Sequence, residues 1–223
     1  MRFSKSLIFA AALTVLPVLS QADPVNSNPS LSVGGLSFSG FTCVLTEQGA
    51  ATPGSCSNID VSTITSPGSG IKFVSGFSAF GQNSYNDAQI DYHVSSTSGI
   101  SQVGLFFNGD FYGQAIASVT EAIFDGSTQV GFAKVLCGAG DAGCTQSDEI
   151  SLNGTYSNLS VQKDIMLAGY STGGGSSISY VDQTFNDAAP TPEPASFAML
   201  GMGLLGAGLL RRRAKLAAQK GSN

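Results

Sequence analysis

The sequence predicts an all-β protein, an antiparallel β-sandwich of jelly-roll type, and three observations lead there. Stretches with a two-residue hydrophobic period recur about eight times between residues 31 and 186. Turn-forming Gly, Asn, Asp and Pro residues separate them. No long amphipathic helical pattern lies between any two of them, so crossover helices are missing and the strands must pair antiparallel.

Taken in order, residues 23–30 are rich in Asn, Pro and Ser and read as a mobile linker. Residues 31–186 form the expected sandwich. Within it, Ser32–Thr46 alternates small polar residues with Val33, Leu36, Phe38, Phe41 and Val44, the pattern of one or two short strands. Residues 47–70 are mainly loop, with Ile59–Ile64 as a pairing segment, and Ile71–Phe80 resumes the strand pattern. In Gln89–Ser95, Ile90, Tyr92 and Val94 face one way while Asp91 and His93 face the other. Val103, Leu105 and Phe107 alternate before Asn108-Gly109-Asp110, and Asn-Gly supplies the positive φ that a tight hairpin turn needs. Ala115–Phe124 is assigned to strand because Val119, Thr120, Ile123 and Phe124 are β-branched or aromatic. Asp125-Gly126-Ser127 makes the next turn, and Gln129–Leu136, Ile150–Leu152, Leu159–Ala168 and Ser177–Phe185 complete the series.

Four cysteines allow three connectivities. Cys43 and Cys56 bracket Thr52-Pro53-Gly54-Ser55, and Cys137 and Cys144 bracket a Gly-rich run, so the two local disulfides are expected. No Cys-x-x-Cys spacing supports a metal site instead.

The ends carry a different chemistry. Arg2 and Lys5 precede the apolar Leu7–Leu19, and Ser20-Gln21-Ala22 places small residues where a signal peptidase cuts. Residues 1–22 therefore read as a signal peptide, cleaved between Ala22 and Asp23. At the other end, a spacer over residues 187–194 contains Pro192-Glu193-Pro194, whose prolines hold the backbone extended. Residues 195–210 follow without a charge. As a helix these 16 residues span about 24 Å against a hydrocarbon core of about 30 Å, which snorkelling arginines and a locally thinned bilayer can match. Arg211, Arg212 and Arg213 then open a basic tail, residues 211–223, that stays cytoplasmic and stops the helix in the membrane.

This order of Pro-Glu-Pro, short Gly/Leu-rich helix and arginine cluster resembles the PEP-CTERM sorting signal of exported bacterial proteins, found in Gram-negative producers of exopolysaccharide. The resemblance implies an exosortase, a membrane-embedded sorting protease, that reads Pro192, Glu193 and Pro194 and removes the tail. Within the sandwich, Asn108-Gly109, Val119-Thr120-Glu121, Val161-Gln162-Lys163-Asp164-Ile165, Ser177-Ile178-Ser179-Tyr180 and Gln183-x-Phe185 are similar to PEP-CTERM proteins of unassigned activity. That second resemblance implies a shared β scaffold and no chemistry.

Removing both ends leaves about 168 residues in which fourteen acids face Lys72, Lys134 and Lys163, a net charge of −11. Such a surface repels phosphate backbones and argues against nucleic acid. It is compatible with cations or neutral sugars.

Little in the sequence points to catalysis. Gly138-x-Gly140-x-x-Gly143 has the letters of a dinucleotide fingerprint but neither the flanking strand–helix context nor a βαβ unit. His93 is the sole histidine and Asp91 shares its strand face, yet no Gly-x-Ser-x-Gly elbow supplies a nucleophile. Asp87 with Asp91, or Asp110 with Glu121, are the carboxylate pairs that spacing leaves open for glycoside hydrolysis. No tryptophan offers a sugar-stacking platform, leaving Tyr85, Tyr92, Tyr112 and Tyr180 as substitutes. No Asp-x-Asp-x-Asp-Gly loop exists for calcium, although Asn83/Asn86/Asp87 and Asp141/Asp148/Glu149 are rich in oxygen. The expectation is thus a non-enzymatic, cofactor-free surface or matrix protein. Signal peptidase, an exosortase and the bilayer are its processing partners, and exopolysaccharide its associate. The alternatives are a carbohydrate- or calcium-dependent binding module and a secreted hydrolase.

Overall fold

The computed structural model describes residues 22–139 and 144–186. The segments expected as signal peptide (up to residue 21), Pro-Glu-Pro spacer, membrane helix and basic tail lie outside the described residues.

Among the described residues nine strands form a continuous antiparallel ladder: β1 (Asp23–Pro24), β2 (Leu31–Val33), β3 (Leu36–Thr52), β4 (Asp60–Ile64), β5 (Gly70–Tyr112), β6 (Ala115–Asp125), β7 (Thr128–Gly138), β8 (Ser147–Gly169) and β9 (Gly175–Asn186). The ladder is not closed into a barrel. It is folded over on itself, because β3, β5 and β8 are long enough to leave one layer and enter the other. In layer A the order is β4, residues 70–80 of β5, β9, residues 102–112 of β5, then the start of β8. In layer B it is β2, β3, residues 84–95 of β5, residues 158–169 of β8, β6 and β7. β5 therefore runs from A to B and back to A. Its second corner is at Gly99, with φ +90, where a Cβ would sit 2.4 Å from Thr155 Cγ2. A residue with a side chain would be strained and obstructed there.

Between the layers lies the core. Phe38 of β3 meets Phe185 of β9 at 5.7 Å between ring centroids, and Phe73 of β5 meets Phe41 at 6.4 Å and Tyr92 at 6.0 Å. Ile90, Tyr92 and Val94 point inward and Asp91 and His93 outward, as the two-residue period requires. Disulfides join Cys43 to Cys56 and Cys137 to Cys144, the local pairings expected.

Three expectations are corrected. Asn108-Gly109 is not a hairpin turn: β5 continues to Tyr112, and the register with β9 slips between Asn108 and Gly109. The dipeptide faces a bulge in β9, whose unpaired residue is Ser179. Gly109 serves there by lacking a side chain, since a Cβ would lie 2.5 Å from Ser177 O, and the chain turns at Gly113, with φ +60, instead. The turn at Gly126-Ser127 stands, a two-residue hairpin between Asp125 and Thr128 with Gly126 at φ +58. Residues 23–30 are packed against the sandwich and do not form a free linker. Asp23 pairs with Val61, Val25 is fully buried with its N–H donating to Ile59 O at 2.8 Å, and Asn28 Oδ1 accepts from Phe41 N at 2.8 Å. One apolar residue with a place in the core outweighs the polar composition around it. Residues 47–52, expected as loop, extend β3 and pair with residues 78–86 of β5.

Candidate functional site

Register determines what the outer face of layer A presents. Across the central strand β9 the outward rows are Val74–Tyr180–Asn108, Lys72–Asp182–Phe106, Gly70–Thr184–Gly104 and Asn186–Gln102. Two glycines thus flank Thr184 and leave a depression in the sheet. Gly104 keeps it open, since a Cβ there would lie 2.5 Å from Thr184 Oγ1. The resulting groove of ≈ 550 Å³ is walled by Phe106 and Tyr180 on one side and by Pro67, Gly68 and Asn186 on the other, with Ser147 and Glu149 at the rim.

The aromatic wall is built as a unit. Tyr180 and Phe106 lie 6.0 Å apart between centroids at 41°. Lys72 Nζ sits 3.9 Å over the Tyr180 ring and 3.3 Å from Asp182 Oδ1. Burial raises the Asp182 carboxyl from its ordinary value while Lys72 opposes that shift. Further along the same face Phe80 and Tyr112 flank Gly175 and stack over it, 6.2 Å apart at 22°, and they are 42% and 55% exposed. Five residues of β9 separate the two aromatic pairs, about 15 Å along the strand.

The outer face of layer B carries acids. Asp87 and Asp164 are diagonal neighbours across β5 and β8, and Tyr85 Oη donates to Asp87 Oδ2 at 2.7 Å. Burial first, then Asp87 beside it, pushes the Asp164 carboxyl up to about 6. Burial and the Asp87 contact push the Tyr85 hydroxyl up to about 12. His93 is exposed, and its Nδ1 lies 3.0 Å from Ser160 Oγ, with Asp91 on the same face and no hydrogen bond between Asp91 and the imidazole.

The carboxylate pairs left open by spacing do not assemble. Asp110 is exposed and its Oδ1 accepts from Phe111 N, whereas Glu121 is fully buried beside Lys163. The oxygen-rich calcium candidates also separate: Asn86 points inward, donating to Glu47 Oε1 and Thr52 O, while Asp87 points outward. Asp148 Oδ2 accepts from Lys134 N, and Asp141 lies outside the described residues. Among the described residues no group of three or more His, Cys, Asp or Glu converges as metal ligands would. Of the stacking candidates, Tyr92 is buried in the core, Tyr85 lies on layer B, and Tyr112 and Tyr180 lie on layer A.

Ala22 is exposed and Asp23 opens β1. Pro192, Glu193, Pro194 and Arg211, Arg212, Arg213 lie outside the described residues but within a matched segment: residues 190–213 fit the family profile of the PEP-CTERM protein-sorting motif. The chain carries a PEP-CTERM sorting signal. It is an exported protein, sorted through its C-terminal segment. No curated protein matches the chain in sequence. Among solved structures, one of TmCBM61 in complex with β-1,4-galactotriose is similar with TM-score 0.33 and 10% identity, over 65% of this chain and 88% of that one. The enzymatically active domain of bacteriophage CBA120 tailspike protein 4 is similar with TM-score 0.32 and 12% identity, over 66% of this chain but only 19% of that one. A structure of carbohydrate-binding modules from the β-sandwich superfamily follows with TM-score 0.28 and 14% identity, over 74% and 61%. At TM-scores this low the likeness says nothing about ligand.

Proposed function

We propose that this PEP-CTERM protein is a non-enzymatic surface or matrix component that holds neutral polysaccharide on the outer face of layer A. An exosortase releases its tail after export, acting at Pro192-Glu193-Pro194, and a signal peptidase removes residues 1–22. The observation that carries the binding role is the glycine-floored groove walled by Tyr180 and Phe106. A sugar ring offers an apolar face to an aromatic ring and hydroxyls to the surrounding Thr184, Asn186, Asp182 and Glu149. The Phe80–Tyr112 pair gives a second stacking station on the same open face, so an extended chain fits better than a single sugar. The acidic balance, with Glu149 and Asp182 at the groove, disfavours anionic polymers.

Affinity electrophoresis in gels containing neutral polysaccharides, including the host's own exopolysaccharide, tests this reading. The wild type is retarded, and Tyr180→Ala weakens binding about tenfold, about 1.4 kcal/mol. Gly104→Leu fills the groove and abolishes retardation. Migration of Tyr180→Ala and Gly104→Leu indistinguishable from wild type would remove the groove from consideration.

A further inference from the structure

The core holds a polar cluster that no surface function uses. Glu121 of β6, Lys163 of β8 and Gln183 of β9 occupy inward positions, each between apolar neighbours: Val119 and Ile123, Val161 and Ile165, Val181 and Phe185. The side chains of Glu121 and Lys163 are fully inaccessible to solvent. Lys163 Nζ donates to Glu121 Oε2 and, at 2.7 Å, to Gln183 Oε1. The Gln183 carboxamide is held from its other end too, with Nε2 donating to Gly104 O at 3.0 Å. Phe73 lies 5.8 Å from Nζ, and Tyr92, whose buried hydroxyl has no partner, lies within the field of Glu121. Glu121 Oε1 is likewise buried without a partner.

An amine, a carboxamide and a carboxyl group brought together away from water are the reactants of an amide exchange. Burial lowers the Lys163 ammonium and raises the Glu121 carboxyl, each partner opposing the other's shift, so the proton between them is readily passed. Desolvated lysine is a nucleophile once that proton has gone. Gln183 already turns its carbonyl to Nζ, and fixed placement replaces a collision between dilute partners.

We infer that Lys163 and Gln183 become joined by an intramolecular amide bond, with Glu121 as the proton carrier. Lys163 Nζ attacks Gln183 Cδ, and a new N–C bond forms as the Cδ–Nε2 bond breaks. The proton released by Nζ passes to Glu121 and from there to the departing nitrogen, which leaves as ammonia. Nothing is oxidised or reduced, and no cofactor takes part. The reaction needs to occur once per molecule. Its product ties β8 in layer B to β9 in layer A, and the surrounding Phe73 and Tyr92 keep water from hydrolysing it. Glu121 is the carrier and Gln183 the acyl partner, because a carboxylate resists attack by an amine whereas a carboxamide with a protonated leaving group yields to it.

The test uses the full chain produced with its own targeting segments and recovered after export. The protein is reduced, alkylated, weighed intact with its ends read by peptide mapping, and digested with trypsin. The expected mass is lower than that of the sequence between those ends by one ammonia, about 17 Da. A branched peptide containing Lys163 and Gln183 appears, and trypsin does not cut after Lys163. Glu121→Gln preserves side-chain shape and, with an unchanged circular dichroism spectrum, shows the full mass and the cut after Lys163. Wild-type protein of full mass with cleavage after Lys163 overturns the inference, whether or not the variant folds. So does a loss of about 18 Da with Lys163 joined to Glu121, the signature of water in place of ammonia. A folded Glu121→Gln that still loses ammonia overturns the role of Glu121.

Discussion

Replacing Asp164 by Asn stabilises the protein near neutral pH and leaves it unchanged in acid. Asp87 Oδ1 and Asp164 Oδ1 are both buried oxygens without a donor, two acceptors that only a shared proton can reconcile. Folding raises the Asp164 carboxyl from 3.8 to about 6. A carboxyl raised on folding favours the folded state while protonated. Its contribution is therefore complete below about pH 4 and is lost as pH climbs through about 6. At about 1.4 kcal/mol per pH unit that interval amounts to about 3 kcal/mol before screening. Asp164 is half-buried, and Lys134, two strands along the same row at about 10 Å, supplies some opposing charge, so about 1 kcal/mol is the working figure. The Asp164→Asn substitution removes the cost of a buried charge, and with it the repulsion by Asp87, and raises Tm by about 2–4 °C at pH 7.5. Scanning calorimetry of both proteins at half-unit steps from pH 4 to pH 8 measures the difference. A Tm difference independent of pH, or a lower Tm for Asp164→Asn at pH 7.5, would refute the shared-proton account.

Two further expectations concern the frame around the face. Phe73→Ala removes a fully buried ring that touches Phe41 and Tyr92 across the layers, and urea unfolding should show a loss of about 3–5 kcal/mol. A loss under about 1 kcal/mol would mean the layers are not held by that aromatic contact. The double variant Cys43→Ser, Cys56→Ser opens a short closure and should lose about 2–3 kcal/mol in urea. The same midpoint as wild type would show that this bridge does not limit the unfolded chain.

Much of the fold was legible because strand period survives in single stretches: Gln89–Ser95 alternates in sequence and lies with the predicted residues inward. Local chemistry misled where one dipeptide serves two geometries. Asn108-Gly109 suits a tight turn through its tolerance of positive φ and a close approach opposite a bulge through its missing side chain, and only the pairing of β5 with β9 chooses between them. The groove was illegible for another reason. Gly70, Gly104 and Thr184 are far apart in sequence, and their adjacency depends on register across β9. The buried cluster, by contrast, left a trace. Lys163 sits between Val161 and Ile165, Glu121 between Val119 and Ile123, and Gln183 between Val181 and Phe185. A polar residue at an inward position of an alternating strand marks a partner elsewhere in the core, and pairing Glu121 with the exposed Asp110 instead of with Lys163 missed it.

The last described strand, β9, ends at Asn186 and lies in the middle of layer A, and the sorting motif begins at residue 190. Tension on the tail would thus be taken up by hydrogen bonds on both flanks of β9 at once. Pulling β9 free would have to break bonds to two neighbours, whereas a border strand holds bonds to one. A C-terminal segment joined to a strand paired on both sides is anchored to the centre of layer A, not to its border.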